Sequence, residues 1–369
     1  MSDEGEELAT AVRRMLEAQA PVSKLRDGID AGTAPASEIR ATMADMGLSA
    51  LPIADENGGQ AAGWEITARV FEEFGRVLEP GTYLSTLGLA LPVLQGCADD
   101  RGRAKLLPRI ADGSLALAYA LTEDGDEGWS FSKIDTTARP SVDGWQISGV
   151  KTAVLNAGDS DAYLVPASTD QGPGLFLVDR HTHGVTIDVQ QSIDLTRPVA
   201  VVSFQDVSGE PVHRSGLTVG DLRAALDVSR LAIAAEAVGV AQACLDMAVG
   251  YAKERYQFGR AIGSFQAIKH MCADILLRLE GARSAVYAAG AALDEQAEDA
   301  AVYTCLAKLV AGDVARQASQ ANIQIHGALG FTWEHNAHLF YRRAIADSLL
   351  LGDSSLTRAR LMRNLGVHV

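Results

Sequence analysis

The chain has 369 residues, a formal charge of −15 and 47% apolar residues, with a mean hydropathy of +0.05. That length can hold two or three modest domains around a sizeable core, with the apolar content of a globular protein. The acidic balance excludes a nucleic-acid backbone as partner, since phosphates need a basic face, but a local arginine cluster could still hold a small anion.

Residues 1–115 read as helices with short connections. The stretch 7–18 is amphipathic, and a second helix running to Met46 opens on the capping-type run Pro35-Ala36-Ser37-Glu38. Residues 51–59 are rich in helix breakers and predict a turn. The run Phe71-Glu72-Glu73-Phe74-Gly75-Arg76 reads as a helix end, with Gly75 in an ordinary capping role. Over residues 116–217 the period changes to two. Strands are expected at 116–121, 161–165, 174–178, 184–189 and 199–204, which suggests a small antiparallel barrel or sandwich. Residues 218–369 return to helical spacing, with patterns at 221–254, 265–294 and 298–325 each long enough for a bundle helix. The expected class is therefore α+β, mostly α, in three domains. No G-x-G-x-x-G follows a strand, so a Rossmann route to a dinucleotide is not supported.

Cys97, Cys244, Cys272 and Cys305 stand singly on apolar patterns without metal or redox spacing, which predicts reduced core thiols. No basic segment followed by an apolar run opens the chain, and no apolar stretch approaches bilayer length. A cytoplasmic protein without membrane insertion is the expectation. His326, His335 and His338 lie near one another but lack a third ligand on a rigid face, so no metal site is expected. Trp333 reads as packing for a turn, and Arg342, Arg343, Arg358, Arg360 and Arg363 as surface-pairing cations.

The most informative run is Arg255-Tyr256-Gln257-Phe258-Gly259-Arg260-Ala261-Ile262-Gly263-Ser264-Phe265-Gln266. It places a fixed cation, amides and aromatics in a glycine-bearing break between two long helices. There a guanidinium can hold a phosphate bidentately, or merely satisfy backbone carbonyls. A second run, Gln324-Ile325-His326-Gly327-Ala328-Leu329-Gly330-Phe331, follows in a later helix.

The first run resembles the R-x-Q-F-G-x-x-I-x-x-F-Q signature of the acyl-CoA dehydrogenase family, and the second resembles its Q-x-x-G-G-x-G segment. With the domain order, the resemblance spans essentially the whole chain. It implies FAD as cofactor, with Arg255, Gln257, Phe258 and Gln266 on its pyrophosphate side and Gln324, Ile325, Gly327 and Ala328 toward its adenine half. In this family these residues reach the cofactor across a subunit interface. The resemblance also implies α,β-dehydrogenation of an acyl-CoA substrate, with an electron-transferring flavoprotein as acceptor.

The reaction needs a carboxylate base against the substrate α-carbon and polar contacts to the thioester oxygen. Aligned on Arg342-Arg343-Ala344, Gly352 matches the glycine of the family's E-G-T, but Leu351 stands where the base belongs. The alternative base position, before Arg230, holds Ser229. Glu236, two helical turns on, is the candidate for a relocated base, with Asp227 and Asp353 weaker. In the β region Leu121-Thr122-Glu123 resembles V-T-E, but an acidic run with Trp129 replaces the small residues that follow. In Gly149-Val150-Lys151-Thr152-Ala153-Val154-Leu155-Asn156, Ala153 replaces the flavin-packing Trp of G-x-K-x-W-I-T-N and Leu155 its flavin-bonding Thr.

Elements of a self-contained active site are thus lost, while those reaching a neighbour's FAD are kept. The leading expectation is the non-base-bearing subunit of a heterotetramer built from two kinds of homologous chain. The run Ser192-Ile193-Asp194-Leu195-Thr196-Arg197 resembles the branch acting on steroid side-chain CoA thioesters. A homotetramer using Glu236 as base, and a non-catalytic scaffold or acyl-CoA-binding protein, are the alternatives.

Overall fold

The computed structural model describes residues 3–32, 39–125, 133–142 and 144–367. The expected helix opening at Pro35–Glu38 and the acidic run's Trp129 both lie outside these residues. Six helices form the N-terminal part: α1 (Asp3–Gln19), α2 (Val22–Asp30), α3 (Arg40–Asp45), α4 (Gly63–Val77), α5 (Leu91–Cys97) and α6 (Asp100–Ala111). A π-helical segment, Leu84–Ala90, leads directly into α5.

Seven strands follow: β1 (Leu117–Tyr119), β2 (Thr137–Ser141), β3 (Gly144–Leu155), β4 (Ala162–Thr169), β5 (Gly172–Asp179), β6 (Val185–Gln190) and β7 (Val199–Pro211). Pairing runs β1-β4-β2-β3-β7-β5, and a further β4–β5 pairing closes the ring into a barrel, with β6 added on β7. Most pairs are antiparallel, but β1–β4 is parallel, as is the single β2–β4 pair. Closure leaves an interior of Ile147, Tyr163, Val165, Phe176, Val202 and Phe204, all at most 2% exposed. Periodicity did not reveal β2 or β3. Register shifts within β3 break its alternation, and Ala153 sits at φ +50° inside the second of them.

The C-terminal part comprises α7 (Val219–Glu254), a hairpin β8 (Tyr256–Gln257) and β9 (Arg260–Ala261), α8 (Gln266–Asp294), α9 (Ala300–His326), α10 (Ala328–Phe331), α11 (Ala337–Leu349) and α12 (Ser354–Asn364). Helix α7 starts at a capping box in which Thr218 and Asp221 satisfy each other's backbone N–H. It is long and apolar enough by composition to cross a bilayer, which corrects the sequence expectation. However, 78% of that apolar window is buried inside the helical core, as expected of an all-round apolar helix in a large protein.

Helices α4 and α7 cross at reciprocal glycines. A Cβ on Gly75 would lie 2.0 Å from the Glu236 carbonyl oxygen, and one on Gly239 1.8 Å from that of Glu72. Gly75 is therefore a contact residue within α4 rather than a cap, and the C-cap is Leu78 at φ +56°. The backbone contact carries a consequence for the middle of α7, because it sets Glu236 beside the chain segment that joins β6 to β7.

Candidate cofactor and subunit-interface site

That segment docks through a buried charge cluster. Arg343 on α11, fully buried, donates Nε to Asp194 Oδ2 at 2.7 Å, Nη1 to Glu236 Oε1 at 2.6 Å and Nη2 to Thr196 Oγ1 at 2.6 Å. Arg197 donates to Glu236 Oε1 and, at 2.8 Å, to Asp347 Oδ1. Burial pushes Asp194 up, but Arg343, Arg197 and the Thr196 donors outweigh it and hold the carboxyl below its usual range. Burial and the Glu236 charge instead raise Asp347 to about 7, and its Oδ2 has no partner among the described residues.

Glu236, the relocated-base candidate, thus serves as the shared anion of two guanidiniums. Arg343 is the centre of this cluster rather than a surface cation. Sequence spacing could not show this, because its partners lie on α7 and the β6–β7 connection.

The other base positions are also occupied structurally. Leu351 is 2% exposed at φ +56°, and the next carbonyl, of Gly352, accepts from Lys308 Nζ at 2.6 Å. Burial, with the charge of Arg230, lowers Lys308 to about 8. Ser229 is fully buried, and its hydroxyl has no described partner. Asp227 accepts from Arg230 at 2.8 Å and from Arg360 at 3.0 and 2.8 Å, so Arg360 too is a structural cation. Asp353 caps α12 by accepting from Leu356 N–H at 2.9 Å.

In the barrel, the Thr122 hydroxyl donates to the Thr152 carbonyl. Lys151 Nζ donates to Glu123 Oε1 at 2.7 Å, and that carboxylate also accepts from Asp135 and Thr136 N–H. Ala153 is exposed and Leu155 buried. Asn156 Nδ2 is bound to the Pro80 carbonyl at 2.7 Å. These residues offer an alanine and a buried aliphatic side chain where a flavin ring needs a flat packing surface and a hydroxyl.

The far end of α7 is different. Arg255 is the C-cap residue, with its N–H on the Tyr251 carbonyl. The hairpin pairs Tyr256 with Ala261 and Gln257 with Arg260, leaving Phe258 and Gly259 as the two turn residues. Their φ values of +53° and +77° are those a type I′ turn demands, normally of Asn-Gly. A phenylalanine there is strained, and its ring is 92% exposed; strain retained at an exposed aromatic points to function. Phe258 meets Phe265 edge-on at 6.2 Å, and Arg260 lies 4.0 Å over the Phe265 ring.

Arg255, Gln257 and Gln266 are exposed, as are Gln324, Gly327 and Ala328 at the end of α9. Ile325 is the exception: its side chain joins Ala248, Ala252, Tyr251 and Ile262 in a small core that brings both motif segments to one corner. Only its backbone remains to meet a ligand. Lys253, Arg255, Arg260, Lys269 and Arg278 form no ion pair with another described residue, although the chain as a whole is strongly acidic. Glu236 and Arg255 are 19 residues apart on one helix, about 28 Å at 1.5 Å per residue. The corner thus stands well away from the point where the barrel segment docks.

The arrangement can hold an extended anion. Arg255 supplies a guanidinium fork, Gln266 and Gln324 supply amides, and Gly327 leaves its backbone bare at φ +63°. Exposed Tyr256 and Phe258 on the hairpin and Leu329 and Phe331 after α9 add apolar surface on the same two segments. Such a concentration marks an interaction site.

Three acyl-CoA dehydrogenase domain models match in order: the N-terminal domain over residues 2–114, the middle domain over 118–207 and the C-terminal domain over 216–366. The chain is 29% identical to the probable acyl-CoA dehydrogenase FadE25 of Mycobacterium tuberculosis over 99% of its own length and 96% of the relative's. It is 31% identical to the 3-(aryl)acrylate reductase of Clostridium sporogenes, covering 94% of this chain and 95% of that one. Among solved structures it is similar to a variant of the Tcur3481–Tcur3483 steroid ACAD, with a TM-score of 0.85, 28% identity, and 99% and 98% of the two chains covered.

Proposed function

The chain belongs to the acyl-CoA dehydrogenase family, FAD-dependent oxidoreductases acting on CH–CH bonds, and we propose that it is a heteromer subunit whose homologous partner carries the catalytic Glu. FAD supplies the hydride acceptor of that chemistry when bound. The residues of this chain fit one half of it. Arg255, Gln266, Gln324 and the backbone at Ile325–Ala328 would hold its pyrophosphate and adenosine side, with Gln257 and Phe258 seating the hairpin against the partner.

The observation that carries this reading is the exposure of those groups at a corner remote from the chain's own barrel segment, with their cations unpaired. A second support is that Leu351 and Ser229 hold the two base positions and Glu236 is bound by two guanidiniums. The homotetramer reading therefore loses its candidate base. The substrate class we infer is a CoA thioester with a steroid side chain, supported by the Asp194–Arg197 run and by the likeness to a steroid enzyme. An electron-transferring flavoprotein would take the electrons, in the cytoplasm.

The test is co-expression with a homologous acyl-CoA dehydrogenase chain that carries the E-G-T glutamate, with flavin counted against protein. One flavin for every two chains is expected, and none on this chain alone. A homomer of this chain that binds one flavin per chain and turns over acyl-CoA would overturn the reading.

A further inference from the structure

Three rings form a column beneath the exposed corner. Tyr251, in the last turn of α7, stacks on His326, the last residue of α9, at 4.3 Å and 25°. His326 lies against His335 at 4.2 Å and 42°. The His326 Nδ1–H donates to the Asn322 carbonyl at 2.8 Å, while His335 Nδ1 accepts from Ala337 N–H at 3.1 Å. Each ring is thereby fixed in orientation from its own backbone.

The segment carrying His335 is in turn tied to the N-terminal helices. Trp333 Nε1 donates to Asp30 Oδ1 at 2.6 Å, and its ring stacks on His338 at 4.9 Å. Arg26 lies 5.4 Å from the Trp333 centroid and donates to Asn336 Oδ1 at 3.2 Å. No group of these side chains forms a metal site among the described residues.

The backbone gives this column a task. Gly327 combines φ +63° with ψ −137°, a conformation open essentially to glycine alone. The direction of the chain after α9 is therefore not set by α9 itself. The Arg255 hairpin and the Gln324–Ala328 turn come from different helices, and a ligand that spans both needs them at one spacing.

We propose that His326 and His335 are positioning residues: stacked between Tyr251 and the Trp333 segment, they lock the Arg255 hairpin, the α9 turn and α2 into one rigid unit presented to the partner's cofactor. This rests on the reading that the corner faces a partner's FAD, but the locking itself is measurable on the chain alone.

The experiment is amide hydrogen exchange on the purified full-length chain, with thermal melts confirming that each variant is folded. His335→Ala should raise exchange about three- to tenfold, the range that loss of an aromatic stack supports, in the 327–336 segment and also in the 254–262 hairpin. His335→Phe, which keeps a flat ring, should return the hairpin to near wild-type exchange. A rise confined to 327–336, or a Phe variant as open as the Ala variant, would overturn the proposal. If His335→Ala does not fold, Trp333→Phe serves: loss of the Asp30 bond should also loosen the hairpin, and an unchanged hairpin would sink the idea. A complex that never binds FAD while the exchange coupling persists would refute the functional reading alone. A flavin-replete complex without the coupling would refute this one.

Discussion

Two regions of α7 carry arginine chemistry of opposite kinds. At its middle, Glu236 meets Arg197 and Arg343 in a fully enclosed cluster; at its end, Arg255 and its neighbouring cations face solvent without carboxylate partners. Burial forces pairing, because an isolated charge in the interior costs several kcal/mol, so the middle cluster is explained by the fold itself. Nothing in the fold demands that Lys253, Arg255, Arg260 and Lys269 stand without carboxylate partners beside exposed Tyr256 and Phe258 on an acidic protein. The contrast separates charges that hold the molecule together from charges left for something else to bind.

The strongest way to break the comparison is at its buried pole. Arg343→Ala removes the guanidinium paired with Asp194 and leaves Glu236 with Arg197 alone, and should cost about 3–5 kcal/mol, or prevent folding. Urea unfolding of the purified chain measures it, and a loss below about 1 kcal/mol would mean the cluster is not structural. At the exposed pole, Arg255→Ala should leave stability within about 0.5 kcal/mol. In the complex it should weaken flavin retention about ten- to hundredfold, as expected for one charge-assisted contact. A melting point that falls with flavin content unchanged would reverse the assignment.

Gly239→Ala should cost about 1–3 kcal/mol by driving α4 from α7, read as a lowered thermal midpoint. Its effect on flavin should follow only through the folded fraction.

The smallest effects are in pH. Burial lowers His326, and burial with the charges of its neighbours His326 and His338 and of Arg26 lowers His335. Burial and Arg342 lower His338. The unfolded chain therefore binds more protons below pH 6.5, and stability falls as pH drops from 6.5 toward the lowered folded values. Asp347, raised to about 7, acts oppositely: the native state holds its proton, so stability falls as pH rises from about 4 to 7. Melts across pH 4–8 should show Asp347→Asn removing the second slope and His335→Phe reducing the first.

Much of the fold was legible because long apolar periods are local. The observed bounds of α7, α8 and α9 differ from the sequence expectation by at most two residues. β3 escaped detection because its bulges interrupt the period, and Gly75 was read as a cap because a helix end and a helix contact use the same residue. The two motif segments stand out as spaced residue patterns, whereas His335 and Trp333 carry no signal of their tertiary partners, His326 on α9 and Asp30 on α2.

What the residues alone determined was the family, and that a leucine stands at position 351 and a serine at 229, the first unable to accept a proton in any packing and the second a poor base without a partner. What only the tertiary structure decided was the use of charge: whether Glu236, Arg343 and Arg255 are paired or free depends on which distant elements meet. Electrostatic energy follows distance and burial, and neither is written in the order of the residues.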